Sequence, residues 1–203
     1  MEKLIVINGS PRSLNSNSKQ YANIFLKFYK KNVEYVNLTK NNHYDILKKI
    51  NFCNEILFVF PLYADSIPVF LLNFLIYLEE NFKNINKITI SVLINCGFYE
   101  YSQNDIAVEM MKLYAKKINA NFGSVLKIGS GEAILKTPFK ILLKWKIKKF
   151  SQSIEEKKYK VFNFTMPISK SLFVKASKIY WKNYGKKYNV SEEEMKTNFI
   201  EGK

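Results

Sequence analysis

Apolar residues in this chain gather in short blocks that stop abruptly at turn-forming residues, with amphipathic stretches between them. Leu4-Ile5-Val6-Ile7 is a continuous, mostly β-branched run that ends in Asn8-Gly9-Ser10-Pro11. Short runs closed in this way read as strands buried on both faces. Residues 55–60, stopped at Pro61, residues 88–94, followed by Asn95-Cys96-Gly97, and residues 125–128, closing at Gly129-Ser130-Gly131, read the same way. Residues 33–38 alternate and suit a further strand. Tyr21, Ile24, Phe25 and Phe28 are spaced to bury one side of a helix. The pattern also predicts helices over 69–80, with Pro68 near the first turn, and over 106–118, with one or two helical turns over 43–50.

Strand and helix thus alternate five times, which favours an α/β fold: a parallel sheet covered on both faces and joined by right-handed crossovers. Residues 134–150 mix Lys with Leu, Ile, Phe and Trp and should be helical. Residues 159–188 form a second basic–aromatic stretch. One of the two completes the layered domain, over residues 1–150, and the other belongs to a basic helical extension over 151–203. That extension is expected to pack on the domain or on a partner subunit.

Composition narrows the classes. With 47% hydrophobic and 15% aromatic residues in 203, the chain can fill a core, and global disorder is excluded. No apolar run reaches the length of a membrane span. The start, Met1-Glu2-Lys3-Leu4, enters a strand pattern without an export signal, so the expected location is cytoplasmic. Cys53 and Cys96, the two cysteines, have no metal-ligand spacing, and His43, the one histidine, is expected in solvent. No metal site is expected. The net charge of +15 lies mostly late, with 17 Lys against 6 Glu from Lys136 onward. Such a surplus favours anionic partners without choosing among them. For residues 136–149, apolar side chains on most sides favour burial against the sheet or a partner subunit over contact with a membrane or nucleic acid.

Three loops leaving strands carry the candidate chemistry. In parallel sheets, ligands sit beyond the carboxyl ends of the strands, where strand order reverses. Gly9-Ser10-Pro11-Arg12, with Ser13, Asn15, Ser16, Asn17 and Ser18, is dense in hydroxyl and amide groups and opens a helix. A helix start exposes unpaired N–H groups that suit a phosphate, although Ser or Asn there also serves simply as a cap. Pro61-Leu62-Tyr63-Ala64-Asp65-Ser66 offers backbone donors beside a ring, as a flat ligand needs, or is an ordinary loop with Tyr63 packed on the sheet. Asn95-Cys96-Gly97-Phe98 allows close backbone approach at Gly97. Cys96 is either reactive or structural, and the second is favoured. Neither a Walker loop nor a hydrolase elbow is present, and no general acid or base is assigned.

Ile7-Asn8-Gly9-Ser10-Pro11-Arg12 with Ser16-Asn17-Ser18, Phe60-Pro61-Leu62-Tyr63 with Ser66-Ile67-Pro68, and Asn95-Cys96-Gly97-Phe98-Tyr99-Glu100 together resemble the flavodoxin-like NAD(P)H-dependent FMN reductases and quinone reductases, over residues 3–130. The resemblance implies a flavodoxin-like, doubly wound five-stranded parallel sheet of order 2-1-3-4-5 with FMN at the switch point. Ser10, Arg12, Ser16, Asn17 and Ser18 would hold the phosphate. Pro61, Leu62, Tyr63, Ala64, Asp65 and Ser66 would line the isoalloxazine, and Asn95, Cys96, Gly97 and Phe98 would meet its pyrimidine edge. The implied activity passes hydride from NADH or NADPH through FMN to a small acceptor, in a homodimer. The alternatives are a non-enzymatic electron carrier and a basic binding module. The region between the second and third strands lacks the cysteine-rich motif of many relatives, so no iron–sulfur cluster is expected.

Overall fold

The computed structural model describes residues 3–82 and 88–196. The chain divides into two compact units, Met1–Met166 and Pro167–Lys203.

In the first unit, β1 (Lys3–Asn8), β2 (Asn32–Asn37), β3 (Glu55–Pro61), β4 (Thr89–Asn95), β5 (Asn121–Ile128) and β6 (Val161–Phe164) form one sheet of order β2-β1-β3-β4-β5-β6. Every pairing is parallel. The order of the first five strands is as expected, but the sheet has six strands, not five. The sixth comes from the stretch assigned by pattern to the extension. Its four residues alternate between exposed and half-buried, as an edge strand does, so they lack the continuous apolar signature of a central strand. β4, in contrast, is buried at every position. The first compact unit accordingly runs to Met166.

Helices α1 (Asn17–Phe28), α2 (His43–Ile50), α3 (Val69–Asn81), α4 (Asp105–Lys117) and α5 (Lys140–Glu155) cover the sheet. On one face, Ile5, Ile7, Phe58, Phe60, Val92 and Ile94 share a core with Ile46 and Ile50 of α2, Leu71 and Phe74 of α3 and Met111 of α4. Against the other face α1 packs beside α5, with the Phe25 and Phe150 ring centroids 5.8 Å apart. Helix α5 buries Leu143, Ile147, Phe150 and Ile154, an i, i+4, i+7, i+11 stripe. Its outer face keeps Ile141, Leu142 and Trp145 exposed, so burial accounts for one side of this helix only. The second unit contains α6 (Lys170–Lys187), capped by Ser169, whose hydroxyl accepts from Leu172 N at 3.2 Å.

Two ionisable groups tie the β1–β2–α2 corner and its neighbour. Glu34 takes Lys3 Nζ and Lys49 Nζ, each at 2.6 Å, and these partners, Lys3 first, hold its carboxyl below the ordinary 4.5. His43 is half-buried rather than solvated. Its ring meets Phe74 and Tyr77 at centroid distances of 5.2 and 5.4 Å, and Nε2 is buried without a hydrogen-bond partner. Burial lowers its pKa below 6.5. In both cases the folded chain binds protons less readily than the unfolded chain, so the stabilisation is full above the ordinary pKa and lost as pH falls through the folded one. Stability against urea is therefore expected to fall as pH drops below 6.5 and again below 4.5. The first decline should vanish in His43→Phe and the second shrink in Glu34→Gln; identical pH profiles in wild type and both variants would refute the assignment.

Candidate functional site

β1 ends at Asn8, whose side chain is fully buried. Its Oδ1 accepts from Ser10 N at 3.1 Å, and its Nδ2 lies 3.0 Å from Asn37 Oδ1 and 3.2 Å from the Ser13 carbonyl. The turn that follows is held from within. Ser16 starts α1: its Oγ accepts from Lys19 N at 3.1 Å and donates to the Ser13 carbonyl at 2.9 Å. The Ser16 hydroxyl hydrogen is therefore already engaged, and the residue acts here as an N-cap. Ser18 is buried, and its Oγ accepts from Asn95 Nδ2 at 3.1 Å, which leaves its own hydrogen for a further acceptor. Arg12 stands exposed at the mouth.

After β3, Leu62 N donates to the Asn95 carbonyl at 2.8 Å, keeping Leu62 beside β4. Tyr63 and Ser66 then exchange backbone hydrogen bonds of 3.0 and 2.9 Å around Ala64 and Asp65, whose φ values are +45° and +56°. Two left-handed residues in succession make a type I′ turn. The reversal carries Ala64 and Asp65 out into solvent and directs Ser66 Oγ toward Met110 Sδ of α4, 3.4 Å away.

After β4, Asn95 Nδ2 also reaches the Phe60 carbonyl at 3.2 Å. Cys96 is buried, and its Sγ receives Asn104 Nδ2 at 3.4 Å and lies 3.6 Å from the Glu100 carbonyl. Burial pushes the thiol up, outweighing the Phe98 and Asn104 contacts that pull it down. A buried thiol with a raised pKa is a weak nucleophile. The loop after β5 closes against it: Gly131 N donates to the Cys96 carbonyl at 2.7 Å, and the buried Tyr21 hydroxyl donates to the Gly131 carbonyl. A Cβ at Gly131 would stand 3.0 Å from both Asn95 Cβ and the Cys96 carbonyl oxygen, so the two loops meet at a distance suited to glycine.

These loops enclose a cleft of about 270 Å³ at the carboxyl edge of the sheet. The first loop lines it with Ser10, Arg12, Ser16, Asn17 and Ser18, the second with Pro61, Leu62 and Tyr63, the third with Asn95, Cys96 and Gly97. Ala64, Asp65, Ser66 and Phe98 do not line it; the type I′ turn accounts for the first three, and Phe98 is exposed. Asn15, Glu132 and Lys136 line the cleft without having been singled out as contacts. The signal for the last two was the Gly129-Ser130-Gly131 turn, which marks a fourth loop at the same edge. Among the described residues, no group of acidic, His or Cys side chains could hold a metal ion.

No protein-family model matches the chain, and no curated protein matches its sequence. Solved structures do match its fold. An FMN-dependent NADH-azoreductase from Bacillus anthracis, in complex with FMN, superposes with a TM-score of 0.57 at 14% identity, over 77% of this chain and 99% of that one. A short-chain flavodoxin associated with a bacterial microcompartment gives 0.54 at 15%, over 77% and 99%. The fold is flavodoxin-like. An NAD(P)H:quinone oxidoreductase from Methanothermobacter marburgensis shares this flavodoxin-like fold with a TM-score of 0.62 at 11% identity, over 75% and 96%. Proteins of the kind the three motifs resemble thus have the same architecture.

The Tyr21 hydroxyl is the tie between α1 and the fourth loop. Tyr21→Phe leaves the Gly131 carbonyl without that donor and is expected to cost about 1–3 kcal/mol in urea unfolding. A cost near zero would mean that the bond does not hold the loop.

Proposed function

We propose that the chain is an FMN-dependent NAD(P)H oxidoreductase that reduces a small acceptor such as a quinone, a nitro or azo compound, or a free flavin. The observation that carries this reading is the meeting of the loops after β1, β3 and β4 in one polar cleft, walled by Pro61, Leu62 and Tyr63.

The residues fit the group. The start of the 12-residue α1 supplies backbone N–H groups and a favourable dipole for a phosphate. Ser18 has a hydroxyl hydrogen to give, and Arg12 brings a cation to the mouth. Ser10 and Asn17 complete the polar wall. Leu62, fixed by its backbone bond to Asn95, presents an apolar surface to a flat ring. Asn95 is held in place from two sides, so the backbone from Asn95 to Gly97 is a rigid edge for polar ring atoms. Bound flavin supplies the hydride-accepting and hydride-donating chemistry; the protein binds, orients and shields. Cys96 contributes shape rather than reactivity. The names of the solved structures that share the fold support the same reading.

Purified protein titrated with FMN is expected to show saturable binding with a perturbed flavin spectrum. Arg12→Ala and Ser18→Ala should each weaken it by about tenfold, the scale of one charge-assisted bond. With FMN bound, NADH or NADPH should be consumed when a soluble quinone is present. Absence of FMN affinity would overturn the proposal, and FMN binding without nicotinamide consumption would favour an electron carrier.

A further inference from the structure

The outer face of α5 carries apolar surface that the domain's own packing does not use. Ile141, Leu142 and Trp145 are 71%, 51% and 62% exposed. With Phe164 at the end of edge strand β6 they line a groove of about 440 Å³. At 3.6 residues per turn, Ile141, Leu142 and Trp145 form the centre of this face. Lys144 and Lys148 border it on one side and Lys146 on the other, while Lys149 lies within it, its Nζ 4.2 Å from the centroid of the Trp145 ring. No acidic residue occurs from Lys136 to Ile154.

An occupant of this face has to satisfy an apolar centre and a cationic border together. A second copy of the face would set lysine against lysine. A nucleic acid would answer the lysines and leave Ile141 and Leu142 in water. A bilayer with anionic headgroups answers both, because phosphates meet the lysines while aliphatic and indole groups enter the headgroup–acyl boundary. We infer that the outer face of α5 is a peripheral docking surface for anionic phospholipid bilayers.

The Pro167–Lys203 unit, taken by itself, repeats this chemistry. Trp181 and Tyr184 of α6 meet edge to face, and Tyr184 packs at a tilt against Tyr188 just past the helix end, all along one side. Lys175, Lys178, Lys182 and Lys186 recur at helical spacing along another. Trp and Tyr concentrate at membrane–water boundaries. No helix among the described residues is long and apolar enough to cross a membrane, so the contact is in-plane. It requires nothing of the flavin reading.

The test is co-sedimentation of the full chain with vesicles of phosphatidylcholine, with and without roughly one third phosphatidylglycerol. Binding is expected to the anionic vesicles, to weaken with salt, and to blue-shift Trp145 emission in a Trp181→Phe background. Ile141→Ser/Trp145→Ser and Lys144→Glu/Lys148→Glu/Lys149→Glu should each reduce it by about tenfold or more. The altered side chains are exposed, and unchanged circular dichroism would show that the variants fold. The inference is overturned by absence of vesicle binding, by equal binding to neutral vesicles, or by wild-type binding in both variants. Self-association or DNA binding that these variants abolish, without vesicle binding, would overturn it in favour of those occupants.

Discussion

At the carboxyl ends of parallel strands the backbone runs out of ladder partners, and in this protein two buried asparagines take up the slack. Asn8 at the end of β1 and Asn95 at the end of β4 are almost fully withdrawn from water. An amide in that setting cannot be left unbonded without a penalty of about 1–3 kcal/mol. Each is satisfied by groups on the elements around it: Ser10 and Ser13 of the loop after β1 and Asn37 of β2 around Asn8, Ser18 of α1 and Phe60 of β3 around Asn95. The loops therefore converge because their partners are buried at fixed points, and the cleft between them is the space this bonding leaves. The residues that line the cleft rest on residues that solve a folding problem.

The charge of the chain divides along the same lines. Around the cleft, Arg12, Lys136 and Glu132 leave only a modest positive balance. The larger surplus lies on the outside of α5 and along α6, on surfaces the cleft does not use. The loops after β1, β3 and β4 thus carry little of the chain's surplus charge, and the late segments carry most of it. The groove beside Phe164 lies at the same sheet edge as the cleft, since Phe164 pairs with Ile128, the last residue of β5.

The central strands were legible because burial on both faces leaves nearly continuous apolar runs, as in β3 and β4. β6 was not, because an edge strand alternates, and its four residues stand close to lysines. The first loop was legible from its density of hydroxyl and amide groups, although Ser16 proves to spend its hydroxyl on capping. In the second loop the reading stopped being reliable at Tyr63. A type I′ turn is usually announced by Asn-Gly or Asp-Gly, and here Ala64-Asp65 adopts it without glycine. Glu132 and Lys136 reach the cleft from beyond the fifth strand, through a loop whose approach is set by the tertiary contact of Gly131 with Cys96. His43 shows the same limit: polar neighbours in sequence suggested solvent, and aromatic neighbours in space removed it.

Cys96 lines the cleft, yet its sulfur is enclosed, and burial pushes its pKa up. Thiolates are the form of cysteine that oxidants attack, so a thiol that ionises less readily is oxidised less readily. A sheltered thiol at this position is a wall residue that oxidants in the surrounding solution reach poorly. The enclosure that shapes the wall thus also shelters its sulfur from oxidation.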